Sequence, residues 1–143
     1  MEYKITVCGQ SDAQDLCDRL VAFNLERVAP RQDQPFLPVR LKITDPEGAV
    51  IGGCLGEIYC WKVMSVDVLW VDPDHRGRGL GTALLGEMEQ IAREQNCSLI
   101  HLDTFDFQAR DFYLRQGYEV FGVLEDCPPG HCRYYLKKKL GSR

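Results

Sequence analysis

The sequence predicts an α/β domain built around a mixed sheet, and two patterns carry this prediction. The first is a strand over Met64–Val71, a helix over Leu80–Gln95 and a strand over Ser98–Thr104. In this order the three elements form a right-handed βαβ unit with parallel strands. The second pattern is an Asp-Pro-Glu-Gly turn at 45–48 within Val39–Tyr59, which is typical of an antiparallel hairpin. Parallel and antiparallel neighbours together make the sheet mixed.

The chain before this hairpin predicts a strand and a helix. Met1–Val7 has the composition of a short strand, and the segment 11–14 has the residues of a capping box. Apolar positions at Leu16 and Leu20 then follow at helical spacing, so we expect a helix that begins near Asp12.

The other elements are bounded by prolines and glycines. Three prolines within residues 30–38 predict an irregular loop beside a binding cleft, and leave open whether this loop is a substrate lid. After the βαβ unit, a short helix over Gln108–Gln116 stops at Gly117. Tyr118–Leu124 and Arg133–Leu140 are then expected to close the sheet as a strand pair.

Length and composition exclude several classes of protein. A chain of 143 residues, 45% hydrophobic and 27% charged, is expected to fold as one domain over residues 1–143. No stretch is apolar for long enough to span a bilayer, and the N-terminus lacks a secretory signal, so a cytoplasmic protein is expected. A net charge of -4 argues against a nucleic-acid partner.

The seven cysteines do not predict a metal site. They are scattered and form no Cys-x-x-Cys pair. Cys127, His131 and Cys132 are the closest cluster, but a zinc site would need a further ligand pair, so packing is the preferred interpretation and no metal is expected.

The junction between the strand and the helix carries the strongest chemical signal. It reads Arg76-Gly77-Arg78-Gly79-Leu80-Gly81-Thr82, and its three glycines remove side chains that would block a ligand. The first amides of a helix lack partners within the helix and lie at its positive end. The loop is therefore predicted to bind phosphate oxygens.

Two common phosphate-binding motifs do not fit this loop. A dinucleotide fingerprint starting at Gly77 would need glycine where Thr82 stands. A Walker A loop would need Gly-Lys followed by Ser or Thr, which does not occur here. A plain glycine-rich turn is the remaining non-functional interpretation.

The spacing that the loop does contain is Arg/Gln-x-x-Gly-x-Gly/Ala, from Arg76 to Gly81, after a strand that ends near Val71. This closely resembles the GNAT superfamily of N-acetyltransferases. A second block resembles the later motif of that family, with Ala109, the pair 112–113 and the pair 117–118 at its spacing. The two blocks cover roughly residues 65 to 123. One departure is Asp106, where the family often has Asn.

The resemblance implies a three-layer fold with a mixed, splayed sheet of about six or seven strands flanked by helices. It also implies acetyl-CoA as cosubstrate, with pantetheine in the gap between the strands 65–71 and 98–104. Backbone groups of Leu69, Trp70 and Val71 would bind the pantetheine, and the amides from Arg76 to Thr82 would bind the pyrophosphate. The following residues are thus the expected cofactor-binding set: Leu69, Trp70, Val71, Arg76, Gly77, Arg78, Gly79, Leu80, Gly81 and Thr82.

The resemblance further suggests Tyr113 as the acid that assists departure of the thiolate. The alternative is that this phenol only packs, as Phe112 is expected to do. An amine with a pKa of about 10.4 must also lose a proton before it attacks. Asp67 and Glu57, on strands that flank the expected cleft, are the candidate bases. His101 and Asp103 share one face of the strand 98–104 and could also reach a proton path, although a lone strand histidine is more often structural.

Alternation along the strand Met64–Val71 places Val66, Val68 and Trp70 on one face and Asp67 on the other. The lead hypothesis is direct acetyl transfer to the primary amine of a small molecule. Acetylation of a protein lysine or N-terminus, or a CoA-binding module without catalysis, are the alternatives. A homodimer is the default expectation for the assembly.

Overall fold

The computed structural model describes residues 2–141 and contains a six-stranded mixed sheet with three α-helices. The helices and strands are, in chain order, α1 (Gln10–Arg27), β1 (Phe36–Thr44), β2 (Val50–Tyr59), β3 (Val63–Val71), α2 (Leu80–Glu94), β4 (Leu99–Phe105), α3 (Arg110–Arg115), β5 (Glu119–Glu125) and β6 (Cys132–Lys139). The strand order is β1-β2-β3-β4-β6-β5. Within residues 2–141 only β3 and β4 are parallel neighbours, so the predicted mixed sheet and α/β class are confirmed.

Helix α2 covers one face of the sheet, and the sequence explains how it packs. Its apolar residues recur at helical spacing and are buried: Leu84, Leu85, Met88 and Ala92. Two glycines of β2 let the helix approach, since a Cβ at Gly56 would lie 3.1 Å from the Met88 side chain and one at Gly52 3.6 Å from that of Leu84. Helix α3 lies on the same face, where Gln116 Nε2 donates to Thr82 Oγ1 at 3.3 Å.

The predicted N-terminal strand is wrong for the residues of it that the structure describes. Residues 2–9 form no regular secondary structure, and Tyr3, Ile5 and Val7 are 84%, 101% and 99% exposed. Met1 lies outside the described residues. A strand needs a neighbour to pair its backbone groups, and β1 pairs only with β2 within residues 2–141. The predicted capping box is also not formed, because α1 begins at Gln10 with Gly9 as N-cap and no side-chain cap.

The proline-rich loop lies at the end of β3 opposite to the glycine loop, and its role as a substrate lid stays a prediction. Arg31 N–H donates to the Cys60 carbonyl at 2.9 Å, and the Gln32 side chain accepts from Lys62 N–H at 3.0 Å. These bonds hold the loop at the β2–β3 turn, whereas the glycine loop follows the other end of β3. A strand of nine residues is about 30 Å long, so the two loops lie at opposite ends of the sheet.

Candidate active site

The glycine loop between β3 and α2 has the backbone geometry that its sequence predicts. A short 3₁₀ turn over Pro73–His75 follows β3, and the Asp72 carboxylate accepts from Asp74 N–H at 2.8 Å. Gly77 and Gly79 then both have φ of 78°. This left-handed conformation costs other L-residues about 1–2 kcal/mol, which is why glycine is needed at both positions.

The N-terminus of α2 is free to bind an anion. Gly79 is the N-cap and offers no side-chain cap, so the first amides of the helix are left for a ligand or water. Gly81 follows in the first turn, where an added Cβ would lie 3.6 Å from the Phe112 ring and would narrow the space over these amides. The two glycines and the helix dipole together make the site suitable for phosphate.

The two arginines of the loop have different positions. Arg76 Nε donates to the Val71 carbonyl at 2.9 Å, so this side chain ties the loop to the end of β3. The Val71 carbonyl retains a second lone pair for another donor. Arg78 is exposed and does not line the adjoining cavity within the described residues.

A cavity of about 630 Å³ lies beside the loop. Every residue of the expected cofactor-binding set except Arg78 lines it: Leu69, Trp70, Val71, Arg76, Gly77, Gly79, Leu80, Gly81 and Thr82. The segment around α3 forms the opposite wall, with Phe107, Gln108, Ala109, Phe112, Tyr113 and Arg115. Residues from both sequence blocks thus line a single cavity.

Sequence reasoning missed several of these lining residues, among them His75 and Arg115. Arg115 brings a further cation to the cavity from the last turn of α3. His75 Nδ1 is buried without a hydrogen-bond partner among residues 2–141. The sequence could have indicated Arg115, because it follows Tyr113 by two residues within the second block that resembles the family motif.

The sheet opens beside this cavity. Strands β3 and β4 pair only over Val63–Val66 and Leu99–Leu102, although β3 continues to Val71 and β4 to Phe105. The two strands therefore part in their C-terminal halves, as expected for a splayed sheet. The unpaired backbone groups along this gap are left for a ligand that enters it.

Tyr113 is placed on α3 with a buried ring, and it lines the cavity. Desolvation by burial raises the pKa of Tyr113 to about 12, with smaller contributions from Cys54 and Asp103. The phenol is therefore protonated at neutral pH, which is the state that a hydrogen-bond donor requires.

The structure does not bring the candidate bases to this cavity. Asp67 is the extra residue of a β-bulge, because Leu55 pairs with Val68 while Gly56 pairs with Val66. Its carboxylate accepts from Ser65 Oγ at 3.2 Å, on the face of the sheet away from α2. Glu57 pairs with Ser65 and is half-buried.

Because of the same bulge, the predicted orientation of the side chains along β3 is wrong. Val66 is 6% exposed beneath α2, whereas Val68 and Trp70 are 45% and 46% exposed on the opposite face. The prediction from strict alternation had all three side chains on one face of the sheet. The extra residue at Asp67 reverses the alternation from Val68 onward.

Other polar residues of this second face are already partnered. Tyr59 Oη and His101 Nε2 lie 2.7 Å apart across β3. Asp103 is bound by Arg133, whose Nη2 lies 2.7 Å from Oδ1. His101 and Asp103 thus each already have a side-chain partner.

Asp106 is likewise engaged within the protein. Its Oδ1 lies 2.9 Å from His131 Nδ1, and its Oδ2 accepts from Cys132 N–H at 2.9 Å. Desolvation raises the pKa of Asp106, but these hydrogen bonds outweigh it and hold the pKa below its usual value. Two members of the cluster of Cys127, His131 and Cys132, for which packing was the preferred interpretation, therefore serve as partners of this carboxylate: His131 and Cys132.

The free helix N-terminus, the cavity and the protonated phenol are the features of an α/β protein with a site suited to an anionic ligand and a proton donor beside it. The chain belongs to the acetyltransferase (GNAT) family, whose model matches residues 11–118. It is therefore an acetyltransferase, and the resemblance seen in the sequence is confirmed.

Individual relatives agree with this assignment. A blasticidin-S acetyltransferase from Streptomyces morookaense is 42% identical over 94 residues, which are 65% of this chain and 68% of that protein. The crystal structure of an acetyltransferase from Bacillus cereus ATCC 14579 is similar with a TM-score of 0.89 and 36% identity, covering 96% of this chain and 98% of that one. An aminoglycoside 6'-N-acetyltransferase complexed with coenzyme A shares the fold alone, with a TM-score of 0.64 and 15% identity over 94% of this chain and 83% of that one.

Proposed function

We propose that the protein transfers the acetyl group of acetyl-CoA directly to a primary amine of a small molecule. One observation carries the proposal: a free helix N-terminus leads into a cavity that also holds Tyr113, beside the gap between β3 and β4. A CoA thioester needs amides that bind its pyrophosphate, a gap that admits its pantetheine and a donor that stabilises the departing sulfur.

The residues present fit the pyrophosphate and the pantetheine of acetyl-CoA. The amides at the start of α2 suit the pyrophosphate, with Arg76 and Arg115 as nearby cations. The exposed backbone of Leu69–Val71 suits the amide groups of pantetheine. The ligand supplies the activated acetyl thioester, and the protein supplies the binding, the orientation and the proton transfers.

Tyr113 is assigned the role of donor to the departing sulfur. A phenol with a pKa of about 12 holds its proton more tightly than a thiol with a pKa of about 8.5. We infer that Tyr113 stabilises the developing thiolate by hydrogen bonding and keeps its own proton.

Asp67 and Glu57 are assigned the removal of the proton from the amine, directly or through water. Both lie on the face away from α2, on strands beside the place where β3 and β4 part, so an acceptor amine would have to approach the thioester from that face. A covalent acetyl-enzyme on Cys54 is disfavoured. Burial, with a smaller contribution from Asp67, raises the pKa of the Cys54 thiol to about 11, so little thiolate exists at neutral pH.

A small cationic acceptor is favoured by the acidic groups on that face and by the antibiotic-acetylating relative. The lysine or N-terminus of a protein is the alternative acceptor, which would need a groove for an extended peptide. No helix within residues 2–141 is long and apolar enough to cross a membrane. The cytoplasmic location, the single domain over 1–143 and the absence of a nucleic-acid partner stay predictions.

The binding of acetyl-CoA is tested with two matched variants of α2. Gly81→Asp places a carboxylate over the amides that would hold the pyrophosphate, whereas Gly86→Asp places one on the exposed side of the same helix. We expect calorimetric titration to show binding by the wild type and by Gly86→Asp, and a loss of at least about 100-fold for Gly81→Asp. Equal affinities of the two variants would contradict the proposed site.

The acceptor is tested by thiol release from acetyl-CoA in the presence of blasticidin S, aminoglycosides, polyamines and lysine-containing peptides. Turnover with a small amine, and none with peptides, is the expected result. Turnover with peptides alone would replace the proposed acceptor by a protein.

A further inference from the structure

Helix α1 lacks a covering partner within the described residues. None of its residues is buried there. Leu16, Leu20 and Phe23 form a stripe at helical spacing and are 59%, 60% and 51% exposed. Asp15 and Arg19 form an ion pair at 2.8 Å beside the stripe, and the Arg27 guanidinium lies 4.9 Å from the centre of the Phe23 ring at its C-terminal end. A helix with this pattern normally gains its stability by burying the apolar stripe.

One face of the sheet is likewise left uncovered within the described residues. Its face away from α2 and α3 exposes Leu55, Val68 and Trp70 on the neighbouring strands β2 and β3. Their side chains are 41%, 45% and 46% exposed. A sheet of this kind is stable when both faces are covered, so this open face is the natural place for a helix.

The segment that follows α1 is held at the β2–β3 turn, while no residue of α1 itself is buried against the sheet. Trp61 Nε1 donates to the Val28 carbonyl at 2.9 Å, directly after the helix. The bonds from Arg31 and Gln32 to the β2–β3 turn then hold the following segment. With 18 residues, α1 is about 27 Å long and extends from this end of the sheet.

We propose that two copies of the chain exchange their N-terminal arms, here defined as residues 2–27. The arm of each copy would lie on the open sheet face of the other, with Leu16, Leu20 and Phe23 against Leu55, Val68 and Trp70. Each copy then supplies the same helix and the same sheet face, so the contact is self-complementary and closes as a two-fold dimer.

The size of the contact favours a second copy as the occupant. Two helices about 27 Å long and 10 Å wide bury about 1,100 Å² in total, counting both partners. Residues 2–9, with Tyr3, Ile5 and Val7 exposed, would add to this area. The sum reaches the range of stable interfaces, which begins at about 1,200 Å².

The exchange bears on the acceptor side of the site, and this part rests on the proposed function. Glu57 and Asp67 lie on the open face, beside the bonded pair of Tyr59 and His101. The arm of the second copy would form a wall over these groups. The acceptor pocket would thus be completed by the partner, and the third layer of the fold would come from it.

The exchange is tested by sedimentation of the full chain at micromolar concentration. We expect a dimer for the wild type and a monomer for the double variant Leu20→Glu with Phe23→Glu. The matched control is Glu26→Lys, at an exposed position of the same helix outside the stripe, which should stay dimeric. A monomeric wild type, or a dimeric double variant, would overturn the proposal.

A mixing experiment separates arm exchange from any other dimer. Val68→Glu spoils the open face and keeps the arm intact, whereas the double variant spoils the arm and keeps the face. Each alone should be monomeric, and their mixture should associate more strongly than either variant alone, because one intact arm meets one intact face. The mixed pair keeps one of the two contacts, so it should be weaker than the wild-type dimer. A mixture that associates no more strongly than the separate variants would contradict the exchange.

Circular dichroism and calorimetric binding of acetyl-CoA, measured on the same preparations, make the two proposals separable. A folded monomeric wild type that binds acetyl-CoA overturns the exchange alone. A dimer that does not bind acetyl-CoA overturns the proposed function alone.

Discussion

At the scale of single residues, Tyr113 combines burial with access to the cavity. Its ring is packed edge-on against Phe112 and Tyr118, so its position is fixed by neighbours on α3 and before β5. Its raised pKa keeps the hydroxyl protonated over the whole physiological range. A fixed donor is more effective than a mobile one, because the position costs nothing at the moment of reaction.

We predict that Tyr113→Phe lowers kcat about 100-fold and leaves the affinity for acetyl-CoA unchanged. The substitution removes only the hydroxyl and keeps the packed ring. Steady-state kinetics and calorimetry on the same preparation provide the measurement. Unchanged kcat would show that Tyr113 serves packing alone.

The two candidate bases are distinguished by isosteric substitution. We predict that Asp67→Asn or Glu57→Gln removes the ability to accept the amine proton, so kcat falls about 100-fold near neutral pH. The loss should shrink as the pH approaches the pKa of the acceptor, about 10.4 for an alkyl amine, since the amine is then already neutral. A loss that is independent of pH would indicate a structural role for that residue.

At the scale of elements, a buried carboxylate joins α2 to the C-terminal strands. Glu89 is 6% exposed and binds Lys138 Nζ at 2.8 Å through one oxygen, while Tyr118 Oη donates to the other at 3.1 Å. Lys138 Nζ also donates to the Gln116 carbonyl at 2.9 Å. The network fixes α3 against α2, and so fixes the two walls of the cavity.

We predict that Glu89→Ala destabilises the protein by about 3 kcal/mol, because it leaves Lys138 without its carboxylate in a partly buried position. Glu87→Ala, on the exposed side of the same helix, should change stability by no more than about 0.5 kcal/mol. Urea unfolding of the two variants provides the comparison. Equal unfolding midpoints would show that the network contributes little.

At the scale of the whole molecule, several buried groups hold their protons more tightly in the folded state. Burial raises the pKa of Tyr113 to about 12 and that of Cys54 to about 11. Desolvation, and then Glu89, raise the pKa of Tyr118 further above its usual range. In the unfolded chain these groups ionise near their usual pKa values of about 10 for Tyr and 8.5 for Cys.

The folded protein therefore binds more protons than the unfolded chain in alkaline solution. We predict that stability is fully present below about pH 8.5 and falls by a few kcal/mol as the pH rises towards 12. Tyr118→Phe should make this decline shallower, and Tyr3→Phe, at an 84% exposed position, should not change it. Urea unfolding from pH 8 to 11 is the measurement. A free energy of unfolding that does not vary with pH would contradict these shifts.

The sequence by itself determined the βαβ unit, the glycine loop and the family. These depend on short-range signals: helical spacing in α2, and backbone conformations at Gly77 and Gly79 that favour glycine. It also singled out residues of both walls of the cavity, because each wall is a continuous segment that carries its own motif. Local rules suffice where neighbours in sequence determine the geometry.

Only the tertiary structure decided the rest. The bulge at Asp67 reverses the facing of Val68 and Trp70, and it arises from pairing with β2, which is distant in sequence. Lys138 sits in a basic run at the end of the chain, and only its approach to Glu89 shows that it belongs to the buried network. The strand expected at 1–7 and the cap expected for α1 did not form in residues 2–141, because a strand depends on a partner and the pattern encodes none. Whether an apolar stripe is buried, and against which surface, is decided by the arrangement of whole elements, and this is why the exposed α1 and the open sheet face were visible only in three dimensions.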